Sequence, residues 1–190
     1  MNSVRLMTWN IQGAFGCNPR FDLDRVIALV KSHAPDIVAL QEIDSRSVRA
    51  HVGNPFEVLQ AALGKHGIGA RTVVTADGEY GQALISRWPL ENTQIHDLSY
   101  PEREPRRAIC TDVATPFGPL RVIATHLGLG LGLVEAVALS KEFVWQTIGR
   151  ARPVGIVEIQ HRGLCVDVGG RRVVGMIRID FNLRGVSVMG

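Results

Sequence analysis

Cysteine is scarce in this chain and scattered: Cys17, Cys110 and Cys165 are widely spaced and include no Cys-x-x-Cys pair. Such a set supports neither a disulfide framework nor a zinc site. A reducing cytoplasm is the compartment that suits it. Long hydrophobic runs are missing too. The longest weakly polar stretch, Leu127 to Leu139, is too short to cross a bilayer and contains Glu135. No basic leader with a cleavage site opens the sequence, so the expectation is a soluble protein with no transmembrane segment. Internal repeats and low-complexity linkers are also lacking.

Nor is charge of one sign concentrated over most of the chain. Residues 1–130 carry 13 Lys+Arg against 13 Asp+Glu, and residues 131–190 carry 8 against 5, so the net +3 comes from the second stretch. Apart from Arg103, Arg106 and Arg107, the first stretch shows no basic cluster of the kind that neutralises several phosphates of a nucleic acid. Steering toward long DNA is therefore not indicated.

What is present is an ample core. At 190 residues and 46% hydrophobic, the chain suits one globular domain, or one large domain with its end missing. Val4, Leu6 and Met7 announce a first strand that ends at Trp9-Asn10. Phe21 to His33 places Leu23, Val26, Ile27 and Val30 on one helical face, with Asp22 and Asp24 at the start, where the helix dipole favours acids. Pro35 breaks that helix, and Ile37 to Leu40 reads as a short buried strand ending at Gln41-Glu42. A second helix is expected from Pro55 to about Lys65. Strands follow in "ARTVVTA", "YGQALISRW", "RRAICTDVA" and "LRVIATHL", a helix from about Val134 to Ile148, and strand-like pieces to the end. Hairpins mixed with helical crossovers predict an α/β fold in which two mainly antiparallel sheets pack face to face with helices outside.

Three polar residues, Asn10, Glu42 and His126, sit where apolar strands end, and carboxyl ends of strands are where α/β sheets place ligands. Each has a plain alternative. Asn10 suits a turn, Glu42 a cap or surface acid, and His126 a satisfied core or loop position. Taken together they suit a hard cation, because carboxylate and amide oxygens are ligands for Mg²⁺ or Mn²⁺ and a nearby imidazole can bond a phosphate or move a proton.

The stretches "TWNIQG", "PDIVALQEID", "YGQALISRWPL", "EPRRAI" and "ATHLGL", in that order over about residues 4–130, resemble the endonuclease/exonuclease/phosphatase superfamily. These are metal-dependent phosphodiesterases and phosphatases that include pancreatic deoxyribonuclease, apurinic endonucleases, bacterial sphingomyelinases and inositol polyphosphate 5-phosphatases. The resemblance implies a four-layer α/β sandwich and a Mg²⁺- or Mn²⁺-dependent phosphoester hydrolase. It further implies that Glu42 is the principal metal-binding glutamate, that Asn10 helps hold the cation, and that His126 hydrogen-bonds the phosphate. Tyr80, Arg106 and Arg107 lie in segments that approach the site in relatives. In this chain Tyr80 and the arginines either brace strands or pair with Glu102 and Glu104 as a solvated charge cluster, or the arginine pair forks onto a phosphate. Ser86 and Trp88 read as structural. The balanced charge favours a small phosphodiester, phospholipid head group or sugar phosphate over long DNA.

The pattern then changes. The family's Gly-Asp-x-Asn motif has its candidate in Asp180-Phe181-Asn182, with Ile179 in place of the glycine, and these two polar residues are the expected catalytic pair. The family's later Ser-Asp-His motif is not found: the only histidine after His126 is His161, in "IQHRG". From Gly130 the sequence turns rich in Val, Gly and Arg, with Pro153 its only proline. The expectation is a single domain over 1–190 whose first 130 residues match the family and whose remainder diverges, as in a truncated or frame-shifted copy. The rival reading is a non-catalytic remnant that keeps the fold and binds metal or phosphate without turnover.

Overall fold

A computed structural model describes residues 3–15, 21–46, 53–127, 156–162, 175–182 and 185–189. The first strand, β1 (Ser3–Asn10), crosses over through helix α1 (Leu23–His33) to a parallel neighbour, β2 (Ile37–Asp44). Asp22 caps α1 by accepting from the Arg25 N–H at 2.8 Å, and Ala34 ends it in the left-handed conformation just before Pro35. Helix α2 (Pro55–Leu63) is capped in the same way by Asn54, with Pro55 in its first turn. Both helices form where the apolar spacing and caps predict them.

The strands β3 (His66–Thr75), β4 (Gly78–Ser86), β5 (Leu90–Asp97), β6 (Arg107–Thr115), β7 (Gly118–Leu127), β8 (Ile156–Arg162), β9 (Gly175–Asn182) and β10 (Gly185–Met189) complete the described elements. They form a six-stranded sheet in the order β10-β9-β1-β2-β4-β3 and a four-stranded sheet in the order β5-β6-β7-β8. Pairing is antiparallel except between β1 and β2 and between β7 and β8. This is the expected architecture of two mainly antiparallel sheets. The helix expected over Val134 to Ile148 lies outside the described residues. Among the described residues no helix is long and apolar enough to cross a membrane.

Alternation along the strands divides the core in two. Val4 and Leu6 of β1, Ile37 and Ala39 of β2, and Leu84 of β4 face Ile109, Leu120, Val122 and Ala124 of the other sheet. Their neighbours Met7, Trp9, Val38, Leu40 and Ile85 point the other way, onto Val26 and Val30 of α1 and Phe56 and Leu59 of α2. Ser86 and Trp88 are structural, as expected. The Ser86 hydroxyl accepts from the Trp88 N–H at 3.0 Å, and Trp88 packs on the inter-sheet core. Strand β5 was not foreseen. Its residues are mostly exposed, so "LENTQIHD" lacks the apolar alternation that reveals a half-buried strand.

One irregularity positions the site. Along the β2–β4 pair Leu40 faces Ala83 and Ile43 faces Gly81, so Gln41 and Glu42 together oppose the single residue Gln82. This is a β-bulge, and it bends β2 just where the strand ends. Glu42 takes φ +56° there, the left-handed conformation that such positions ordinarily give to glycine.

Candidate metal and phosphate site

The parallel pairing of β1 and β2 brings Asn10 beside Gln41, at the same rim of the sandwich as Glu42. The Asn10 side-chain amide donates to Glu42 Oε1 at 2.6 Å, while its Oδ1 accepts from the backbone N–H of Gln12 at 3.0 Å. That second bond settles which way the amide faces, since Gln12 N–H requires an oxygen. Gln12, Gly13 and Ala14 have φ of +50°, +60° and +63°, and this left-handed turn returns the Gln12 N–H to Asn10. Asn10 therefore is a turn residue and a partner of Glu42 at once.

His126, at the exit of β7, enters from the opposite sheet and places Nε2 3.6 Å from Glu42 Oε1, within ion-pair range when the imidazole is protonated. The three strand-end residues thus converge. Because β4 and β6 run antiparallel to β2 and β7, their first residues reach the same rim, and Tyr80, Gln82, Arg106 and Arg107 join His126 around a cavity of about 10 Å³. Burial, and then the Glu42 and Glu104 carboxylates, push the Tyr80 phenol well above its ordinary value against the pull of Arg106 and Arg46. The phenol is kept protonated and able to donate. Arg106 grips Glu104 through both terminal nitrogens, at 2.9 and 3.0 Å, so the alternative of an Arg–Glu pair is realised for this residue.

Two residues here escaped the sequence reading. Arg46 forks onto Asp44, with Nε 3.0 Å from Oδ1, and lies 4.9 Å from the centre of the Tyr80 ring. Its only signal was its place just beyond "QEID". Gln82 is buried between the sheets, and its Nε2 donates to the Arg107 carbonyl at 2.7 Å. A glutamine on the inward face of "YGQALIS", in register with Tyr80 and Leu84, was the available sign.

Asp180 and Asn182 are not brought to this rim. β9 runs antiparallel to β1 with Asp180 opposite Ser3, so the pair falls at the end of the sheet where β1 begins. Seven residues of strand, about 23 Å at the usual rise, separate that end from Asn10. The physical reason is direction: the carboxyl end of an antiparallel neighbour lies at the other rim. β8, by contrast, is parallel to β7 and sets His161 in register beside His126.

Among the described residues no three His, Cys, Asp or Glu side chains cluster as a ready metal cage. A single carboxylate is nevertheless a donor set that Mg²⁺ accepts, because that ion keeps several waters and binds through one or two carboxylates together with substrate phosphate. Glu42 fits that role, its orientation set by Asn10. Asn10 turns its amide hydrogens toward Glu42 and its Oδ1 toward the Gln12 N–H, so it orients the carboxylate.

Comparison with known proteins bears on the fold and the family. YbhP of Escherichia coli is 28% identical over 141 residues, which cover 67% of this chain and 54% of that protein. The chain spans about half the length of the curated relatives it matches. Among solved structures, the human Nocturnin catalytic domain with bound sulfate superposes with a TM-score of 0.61 at 20% identity, covering 84% of this chain and 63% of that one. The 3′ phosphatase NExo from Neisseria, bound to a product DNA hairpin, gives 0.54 at 22% identity, covering 83% of this chain and 56% of that one. The Endonuclease/Exonuclease/phosphatase family model matches residues 7–171. The chain belongs to that family, whose members are phosphoester hydrolases.

Proposed function

We propose that this rim is a divalent-cation-dependent phosphoester hydrolase site. The observation that carries the reading is the convergence of Asn10 and His126 on one carboxylate oxygen of Glu42, at 2.6 and 3.6 Å, from two different sheets. Glu42 would hold Mg²⁺ or Mn²⁺, and family members typically depend on a divalent metal. The bound cation would supply Lewis-acid stabilisation of charge on phosphoryl oxygen. The chain's own residues do the rest. Asn10 fixes the carboxylate, His126 bonds the phosphate and is placed to move a proton, and Tyr80 donates from a neutral phenol. Arg107 and Arg106 present guanidinium forks, the latter once it exchanges Glu104 for phosphate.

A small phosphodiester, phospholipid head group or sugar phosphate suits this rim better than long DNA. Arg46, Arg71, Arg106 and Arg121 each sit on an acid, namely Asp44, Glu79, Glu104 and Asp112, and so offer little to a polyphosphate track. The buried Cys110 is a free thiol, in keeping with a reducing compartment such as the cytoplasm.

A second reading, binding of cation and phosphate without turnover, is favoured by the register of Asp180 and Asn182, which puts no Asp-x-Asn pair beside Glu42. Assays of bis(p-nitrophenyl) phosphate, p-nitrophenyl phosphate, plasmid DNA and phospholipid with Mg²⁺ separate the two. Turnover that Mg²⁺ supports and Glu42→Gln abolishes establishes the hydrolase. Mg²⁺ binding with no rate above that of Glu42→Gln establishes the second reading. Mg²⁺ binding unchanged in Glu42→Gln removes both.

A further inference from the structure

Arg106 lines the rim cavity together with His126, and its side chain is only 14% exposed. A guanidinium so far withdrawn from water needs a counter-ion. Glu104 supplies it, setting Oε1 and Oε2 against the two terminal nitrogens at 2.9 and 3.0 Å. That end-on fork is one that a phosphate also takes on an arginine. The Glu104 charge is felt at Tyr80 and Arg46 as well, so the carboxylate stands within the rim.

The way Glu104 is held sets it apart from the other acids that pair with arginine. Asp44 and Asp36, partners of Arg46 and Arg87, each accept from a backbone N–H too, that of Arg46 at 2.9 Å and that of Arg5 at 2.8 Å. Glu79 and Asp112, partners of Arg71 and Arg121, each accept from an asparagine amide, Asn54 at 3.3 Å and Asn92 at 3.0 Å. A second donor anchors every one of these carboxylates. Glu104 accepts from Arg106 alone among the described residues. Its side chain is 46% exposed, so parting from Arg106 returns it to water at the small cost usual for an exposed ion pair. Arg106 itself is tied down. Its carbonyl accepts from the Leu98 N–H at 2.8 Å and its own N–H donates to the Ser99 hydroxyl at 3.2 Å. The guanidinium therefore keeps its place while Glu104, on the far side of Pro105, is free to leave.

We propose that Glu104 is a displaceable counter-ion, which holds Arg106 while the rim is empty, yields the fork to an incoming phosphate, and thereby sets how tightly phosphate is bound. A carboxylate tethered two residues away competes at the high effective concentration of its own chain. Arg106 is never left withdrawn and unpaired, and phosphate is held less firmly than a bare fork would hold it. The proposal rests on the reading of this rim as a phosphoester site.

Calorimetric titration of the full chain with inorganic phosphate, Mg²⁺ present, tests it without requiring turnover. Glu104→Gln and Glu104→Ala should each bind phosphate about fivefold more tightly than the wild type. Glu104 belongs to neither core cluster, so both variants should fold. In Arg106→Gln the same replacements should bring no gain, because no fork remains to be freed. Unchanged or weaker binding in either Glu104 variant overturns the proposal and leaves the phosphoester reading standing. So does a gain of equal size in the Arg106→Gln chain, which marks a general effect of charge. No phosphate binding by the wild type or any variant overturns both.

Discussion

Asn10 and Glu42 lie 32 residues apart in the chain, yet the amide of one holds the carboxylate of the other at 2.6 Å across two parallel strands. The carboxylate is therefore aimed before any ligand arrives. Replacing Asn10 by Ala removes that hold and leaves the Gln12 N–H without its acceptor. Affinity for Mn²⁺ should fall about 10–100-fold, as when the partner of a metal ligand is lost, and stability by about 1–2 kcal/mol. Calorimetry and urea unfolding read the two effects separately.

Glu42→Gln should weaken the cation further than Asn10→Ala does, beyond about 100-fold, because it removes the one full negative charge among the three converging residues. Shape and burial are nearly kept, so the urea midpoint should move little. Unchanged Mn²⁺ binding in this variant would place the cation elsewhere.

Tyr80 sets an alkaline limit. Burial first, and then Glu42, raise its folded value, so the neutral phenol adds stability that is fully present below the ordinary tyrosine value, about pH 10. That contribution is lost as pH rises toward the folded value, since the unfolded chain releases its proton first. Unfolding free energy should decline above about pH 10, and Tyr80→Phe should flatten the decline. Tyrosinate absorbance followed against the unfolding transition makes the comparison.

Asp112 sets an acid limit by the opposite sign. Burial would raise its carboxyl, but hydrogen bonds from Arg121 and Asn92 outweigh that and hold it below the usual carboxylate range. Its contribution is present above the ordinary aspartate value, about pH 4, and disappears as pH falls through the lower folded value. Asp112→Asn should cost about 1–3 kcal/mol at neutral pH, with the gap closing toward pH 3 or so. Urea unfolding of both chains across that range measures it.

The sandwich and the convergence of Asn10, Glu42 and His126 were legible because burial writes itself into alternation. Polar residues that interrupt an apolar strand at its exit, as Asn10, Glu42 and His126 do, stand out against that alternation. The same rule misdirects at Asp180, where an apolar run also ends in polar residues, because a strand's exit marks a rim only relative to its neighbour's direction. Sequence carries no sign of that direction. That Tyr80 and Arg107, at strand entrances, would meet the exits of β1, β2 and β7 came from the family resemblance and not from alternation. Gln82 was hidden for another reason. Its amide is set between the Arg107 and Ala124 carbonyls, which is a property of three-dimensional neighbours and not of spacing.

The φ of +56° at Glu42 has an energetic consequence for the whole chain. Glycine adopts that conformation freely, whereas a residue bearing Cβ is disfavoured there by roughly 1–2 kcal/mol. Glu42→Gly should accordingly relieve the backbone and offset the lost Asn10 bond, giving a chain at least as resistant to heat as the natural one and unable to hold a cation. Backbone preference and the hydrogen bond from Asn10 thus pull this one position in opposite directions.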